Sequence, residues 1–132
     1  MPFSWPSKIR FVDTDASGRI HYTAMLRHFE AAEHEFLEQL GCSYQAGRGF
    51  EVDFPRVHVE VDFMIPLSYN NAIETQVRVE RIGNSSFTLA FLTLLNGQPA
   101  TKGRIVVVAI DRQTRKSCPI PDRLLECLRK EP

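Results

Sequence analysis

Between Thr23 and Leu40 the apolar positions recur with a helical period. Met25, Phe29, Ala32, Phe36 and Leu40 share one face, and Leu26 and Leu37 widen the stripe. Thr23 is the expected N-cap and Gly41 the expected stop. A helix of that length measures roughly 27 Å, enough to cross a small domain. Upstream, Ile9 to Val12 reads as an apolar strand, and Ser17-Gly18 as a turn between that strand and the helix. After Gly47-Arg48-Gly49 the period drops to two. Val57, Val59, Val61 and Phe63 alternate with His58, Glu60 and Asp62, which predicts a half-buried strand.

Pro66 ends that strand and Tyr69-Asn70-Asn71 supplies a turn. Ile73, Thr75, Val77 and Val79 alternate next, and Gly83-Asn84 turns the chain into Phe87, Leu89, Phe91, Thr93 and Leu95. Asn96-Gly97 is the strongest hairpin signal in the chain. Ile105 to Ile110 is apolar on both faces, as in a strand covered from two sides. A short helix is expected from Pro121 to Arg129.

This inventory predicts an α+β fold, a curved antiparallel β-sheet wrapped around one long central helix, with residues 1–132 as one domain. One helix cannot cover both faces of such a sheet. The doubly apolar strand therefore points to a second subunit.

Charge narrows the partners. The 16 basic residues balance the 16 acidic ones, so the total implies no nucleic-acid or membrane attraction. The opening MPFSWPSK lacks the apolar core of a signal peptide, and no run is long enough to span a bilayer. Cys42, Cys118 and Cys127 form no CxxC pair and read as reduced thiols of a cytoplasmic protein. His21, His28, His34 and His58 do not combine with them at zinc spacing, so no metal is expected. Neither a G-x-S-x-G elbow nor a P-loop is present.

The candidate chemistry lies in residues 13–30. Asp15 sits in a short loop before a helix N-terminus, where unpaired backbone N–H groups can hold developing negative charge. A carboxylate beside an oxyanion site is what acyl transfer requires. Asp13 reads as a strand-end residue held by local hydrogen bonds. His21 could serve as acid, base or carbonyl donor. Glu30 has Arg27 and His34 within one turn for surface pairing, and Glu33, beside the apolar stripe, suits a solvated helix edge or a salt bridge across a subunit interface. Ser85 and Ser86, starting a strand, are candidate hydroxyls near a bound thioester. Lys102, Arg104, Arg112, Arg115 and Lys116 are candidate phosphate contacts.

These residues, taken in order, resemble the hotdog-fold acyl-CoA thioesterases, in the branch of 4-hydroxybenzoyl-CoA thioesterase and the YbgC-like enzymes. The resemblance runs through Asp13-Thr14-Asp15 with Gly18, Phe29-Glu30, Glu35-Phe36-Leu37 and Val59-Glu60-Val61-Asp62-Phe63 with Pro66. It continues through Arg81-Ile82-Gly83-Asn84-Ser85-Ser86-Phe87, Gly103-Arg104-Ile105-Val106 and Pro119-Ile120-Pro121. It implies hydrolysis of an acyl-CoA to a free acid and CoA, with CoA part of the substrate and no cofactor. Asp15 would be nucleophile or general base, the Tyr22 backbone N–H the oxyanion donor, and Glu30 a residue near the substrate. It also implies a homodimer that often pairs into a tetramer, with CoA in a groove between subunits. Two rivals use the same fold, a non-catalytic acyl-CoA or acyl-carrier-protein binding module and a dehydratase. The second lacks its paired His and Asp/Glu loop signature here.

Overall fold

The structure, a computed structural model, describes residues 2–42, 44 and 52–130. The Gly47-Arg48-Gly49 break lies outside them. Five antiparallel strands form the main sheet in the order β1-β4-β5-β6-β3, where β1 is Phe3–Lys8, β3 Arg56–Phe63, β4 Ala72–Ile82, β5 Ser86–Leu95 and β6 Gln98–Val108. Short β2 (Val52–Asp53) and β7 (Ile110–Asp111) pair separately. The central helix α1 spans Ala24–Gln39, and α2 spans Asp122–Arg129.

The helical period of α1 translates directly into packing. Met25, Phe29, Ala32, Phe36 and Leu37 are buried, with Leu26 and Leu40 half-buried against the same core. The Phe29 ring stacks on Phe91 of β5 at 4.6 Å between centroids. Beneath it, Gly103 of β6 leaves no room for a side chain, since a Cβ there would lie 2.4 Å from the Phe29 ring and 2.9 Å from the Glu60 carbonyl oxygen. Gly41 closes α1 in the left-handed region at φ 90°, as expected of a stop glycine. The Asn96-Gly97 turn has positive φ at both residues, 52° and 78°, the backbone that a two-residue hairpin needs to match strand twist.

The structure corrects four expectations. Ile9 to Val12 is not a strand. The first strand ends at Lys8, and Phe11–Asp13 forms a 3-10 turn closed by the Asp13 N–H donating to the Arg10 carbonyl. Apolarity misled there because Phe11 and Val12 are 80% and 79% exposed. β3 is not half-buried, for Val57, Val59 and Phe63 are all exposed. The reason is position, since β3 is the outer strand of the sheet and only β6 flanks it. Glu33 is not solvated. Lastly, Cys42 and Cys127 are joined as a disulfide with Cα atoms 6.5 Å apart, tying α2 to the end of α1, and Cys118 is the free thiol. Their sequence separation of 85 gives no spacing signal for this pairing.

The Gly103 contact yields a stability test. Gly103→Ala forces Phe29 or β3 to move, so we expect a loss of about 1–3 kcal/mol in urea unfolding, the usual cost of overpacking. An unchanged midpoint would show that the Phe29 ring yields freely.

Candidate active site

The Asp15 loop is built from short-range hydrogen bonds. Thr14 and Ile20 bridge, the Asp15 N–H donates to the Arg19 carbonyl (2.8 Å), and the Gly18 N–H donates to the Asp15 carbonyl (3.0 Å). Gly18 adopts φ 81°, which glycine enters without penalty. The Asp15 carboxylate accepts the Ser17 N–H at 2.8 Å and the Ser17 hydroxyl, the arrangement of an Asx turn. The Ser17 hydroxyl and N–H hold the Asp15 carboxyl below the ordinary aspartate value, so it is ionised near neutrality. The loop is pinned to the β3–β4 connection by the Ile20 N–H, which donates to Leu67 at 2.7 Å. Asp15 itself is exposed.

The entry to α1 differs from the sequence expectation. Thr23 stands at the cap position with helical φ and ψ, and its side chain caps nothing. The His21 ring does so instead, since Nδ1 lies 3.2 Å from the Thr23 N–H and 2.7 Å from its hydroxyl. With Nδ1 accepting the N–H, the neutral ring carries its proton on Nε2. The His21 N–H donates to the Asp13 carbonyl (2.7 Å) and the Ala24 N–H to the His21 carbonyl (2.9 Å). Between them, no described residue accepts the Tyr22 N–H. The exposed Tyr22 ring stacks on His21 at 4.8 Å. Phe11 and Tyr69, whose rings meet edge-to-face at 6.1 Å, add an exposed aromatic rim near this loop.

Asp15, His21 and Tyr22 thus share one loop-to-helix junction. Glu30 is exposed on α1, and the expected pairing with Arg27 does not form because Arg27 engages Asp13 at 3.0 Å. Ser85 and Ser86 lie elsewhere. The loop meets β4 at its start, where the Ile9 N–H donates to Asn71, whereas both serines follow the far end of that 11-residue strand. They therefore stand at the opposite end of a strand whose extended length is roughly 35 Å. Of the basic candidates, Arg104 is paired with Glu60 and Glu80, and Arg112 with Asp53. Among the described residues no group of three or more acidic, His or Cys side chains could hold a metal, and no helix is long and apolar enough to cross a membrane.

Two buried carboxylates flank α1. Glu33, 1% exposed, accepts from the Arg56 guanidinium and the Tyr44 hydroxyl, while Arg56 also lies over the Tyr44 ring at 4.9 Å. This ion pair lies within the chain, on the β3 side, where a subunit-bridging or solvated glutamate was expected. The pattern placed Glu33 beside the stripe, and its partners on a distant segment carry no periodic signal. Burial, followed by the Glu33 charge, pushes the Tyr44 phenol well up, so it remains a donor. On the β1 side, Asp13 is buried and accepts from the Arg10 N–H, Arg27 and His28. Its bonds are therefore only partly local.

Comparison with known proteins follows the same outline. A profile of the thioesterase-like superfamily matches residues 9–128. The chain belongs to this superfamily. A 1,4-dihydroxy-2-naphthoyl-CoA hydrolase of Synechococcus sp. (strain CC9605) is 33% identical over 120 residues, 86% of this chain and 80% of that protein. A crystal structure of an Aquifex aeolicus protein superposes with TM-score 0.89 at 25% identity, covering 96% of this chain and 99% of that one. The fold of a 1,4-dihydroxy-2-naphthoyl-CoA thioesterase from Synechocystis matches with TM-score 0.90 at 18% identity, over 98% and 97% of the two chains. The architecture is the hotdog fold. These relatives do not single out the YbgC-like branch.

Asp13 supplies a test of the electrostatics. Burial pushes its carboxyl up, but the hydrogen bonds from the Arg10 N–H, His28 and Arg27, with the His28 charge, outweigh burial and hold it below 3.8. Between the folded and unfolded values the unfolded chain binds more protons, so this contribution falls as pH falls. The stability difference between the parent and Asp13→Asn should shrink as pH drops through the ordinary aspartate range. Urea unfolding at pH 7, 4 and 3 measures it. A difference that does not change with pH would mean that the charge on Asp13 contributes nothing.

Proposed function

We propose that this protein is an acyl-CoA thioesterase acting on an aromatic acyl group, with Asp15 as the reacting carboxylate. One observation carries the reading, namely that an ionised carboxylate held in an Asx turn shares a junction with a helix-start N–H that no described residue accepts. Membership of the thioesterase-like superfamily supplies the reaction class. The substrate class is suggested by the naphthoyl-CoA hydrolases among the relatives and by the exposed Phe11, Tyr22 and Tyr69 rings. Aromatic side chains offer apolar faces for such a ring.

In the proposed reaction the thioester carbonyl oxygen takes the Tyr22 N–H. Asp15 either attacks the carbonyl carbon, giving an anhydride that water cleaves, or removes a proton from an attacking water. The C–S bond breaks, CoA leaves as the thiolate, and the acid departs as the carboxylate. An oxyanion donor typically contributes about 10²–10³ in rate, and the α1 dipole has the same sign. His21, its Nε2–H turned from the cap, is a second donor at the same junction. Glu30, Ser85 and Ser86 are proposed to meet the substrate only in an assembly, where a second chain closes the site.

That assembly is proposed to be a homodimer, with tetramers formed by its pairing. The unflanked edge of β3 and the exposed Val57, Val59 and Phe63 support it, since such an edge invites a further strand. Val59→Lys should give a monomer in sedimentation and lose turnover. An active Val59→Lys monomer would defeat the shared-site reading.

Thiol release across aromatic and aliphatic acyl-CoAs tests the activity. Turnover should be highest with bicyclic hydroxyaromatic thioesters, and absence of release from any acyl-CoA would leave a binding module. Asp15→Asn should lower kcat by about 10²-fold or more while substrate still binds. Near-parental turnover in that variant would remove Asp15 from the mechanism. Single turnover in H₂¹⁸O is a positive test of the nucleophilic role, because label enters Asp15 only when water adds at the Asp15 carbonyl of the anhydride.

A further inference from the structure

We propose that Ser7, His28 and Asp13 form a positioning network that sets the Asp15 loop against α1 without touching the substrate. The inference rests on Asp15 as the reacting carboxylate. Its structural basis is separate, and joins three elements that are unrelated in sequence.

Asp13 is 4% exposed, so it cannot meet acyl-CoA from solvent. Yet it is the most heavily engaged residue of the junction. Its carboxylate accepts the Arg10 N–H at 2.8 Å, Arg27 Nη2 at 3.0 Å and His28 Nε2–H at 3.0 Å. Its carbonyl accepts the His21 N–H at 2.7 Å, and its own N–H closes the turn at Arg10. Residue 13 therefore grips both ends of the segment that carries Asp15, and its side chain binds that segment to α1. The next amide after His21 is the proposed oxyanion donor.

His28 is in turn fixed from behind. Its side chain is 10% exposed, and Nδ1 lies 2.9 Å from the Ser7 hydroxyl on β1. With Nε2–H committed to Asp13, the neutral ring accepts the Ser7 O–H at Nδ1. If the ring is protonated, the serine accepts instead, so the link survives both states. A buried carboxylate costs free energy unless fully bonded, and a satisfied network of this kind rigidifies what it joins. The path runs from the edge strand through the helix to the loop start, and from there to the helix entrance. Displacing a reacting group by about 1 Å can cost about 10²-fold in rate, so rigidity at this junction has a direct catalytic value.

The test uses His28→Ala and His28→Gln in the full chain, with Ser7→Ala as a milder variant should His28→Ala fail to fold. Two quantities are read, steady-state kinetics and exchange of the His21 backbone amide by NMR. The expected result is a loss of about 10–10²-fold in kcat for His28→Ala, with KM within about threefold, and faster exchange at His21. Glutamine, which restores a donor to Asp13, should recover most of both, and Ser7→Ala should shift both in the same direction by less. A folded His28→Ala variant with parental kcat, or with unchanged His21 exchange, overturns the proposal. So does a rate loss that glutamine leaves unrepaired, since a donor restored to Asp13 would then fail to restore the role lost. Asp15→Asn is run beside them. If it keeps turnover, the Asp15 assignment fails, and the His21 exchange result alone then decides whether the network positions the loop.

Discussion

The contact on which the architecture depends is the seating of Phe29 on the sheet. One row of residues crosses all five strands beneath α1, with Phe3, Val77, Phe91, Gly103 and Val61 as successive cross-strand partners. Phe29 stacks on Phe91 and occupies the space that any side chain at Gly103 would need, while Phe36 meets Phe3 edge-on at 5.5 Å. Removing a phenyl ring of this size from water contributes about 2–3 kcal/mol, and the aromatic stacking adds to it. The glycine brings the helix close enough for the sheet to curve around it.

Once α1 is seated, its flanks are fixed by charge. Arg27 and His28 reach Asp13 on the β1 side, and Glu33 receives Arg56 and Tyr44 on the β3 side. Each buried carboxylate is bonded by more than one donor, the condition under which burial of charge is tolerable. The two differ in consequence. The Glu33 cluster ties α1 to the start of β3, whereas the Asp13 cluster holds the loop in which the candidate carboxylate sits.

The site built on this frame is open in a single chain. Asp15 is exposed, Tyr22 and Phe11 are bare, and the β3 edge carries valines and a phenylalanine into solvent. Rigid support beneath and exposure above are complementary properties. The backbone hydrogen bonds place the Tyr22 N–H and the Asp15 carboxylate, and the exposed rings of Phe11, Tyr22 and Tyr69 lie beside them.

Much of this was legible in the residues themselves. The 3.6 period located α1 to within a residue at each end, alternation located β4 and β5, and Asn96-Gly97 fixed their neighbour by requiring positive φ at both turn positions. Asp15 stood out because turn residues and a helix start are local signals. What local signals could not carry was exposure and partnership. Phe11 and Val12 are apolar yet bare, and Val59 alternates like a buried strand yet lies at an edge, because burial depends on what packs against a residue. Asp13 with His28, Glu33 with Arg56, and Cys42 with Cys127 are brought together only by the closed sheet and the seated helix. The sequence by itself determined both helices, β4, β5 and the turns between strands, and marked the candidate loop, since backbone periodicity and turn chemistry act over a few residues. The tertiary structure alone decided which charges are buried, which edge is open and what holds the loop, since those depend on contacts between residues far apart in the chain.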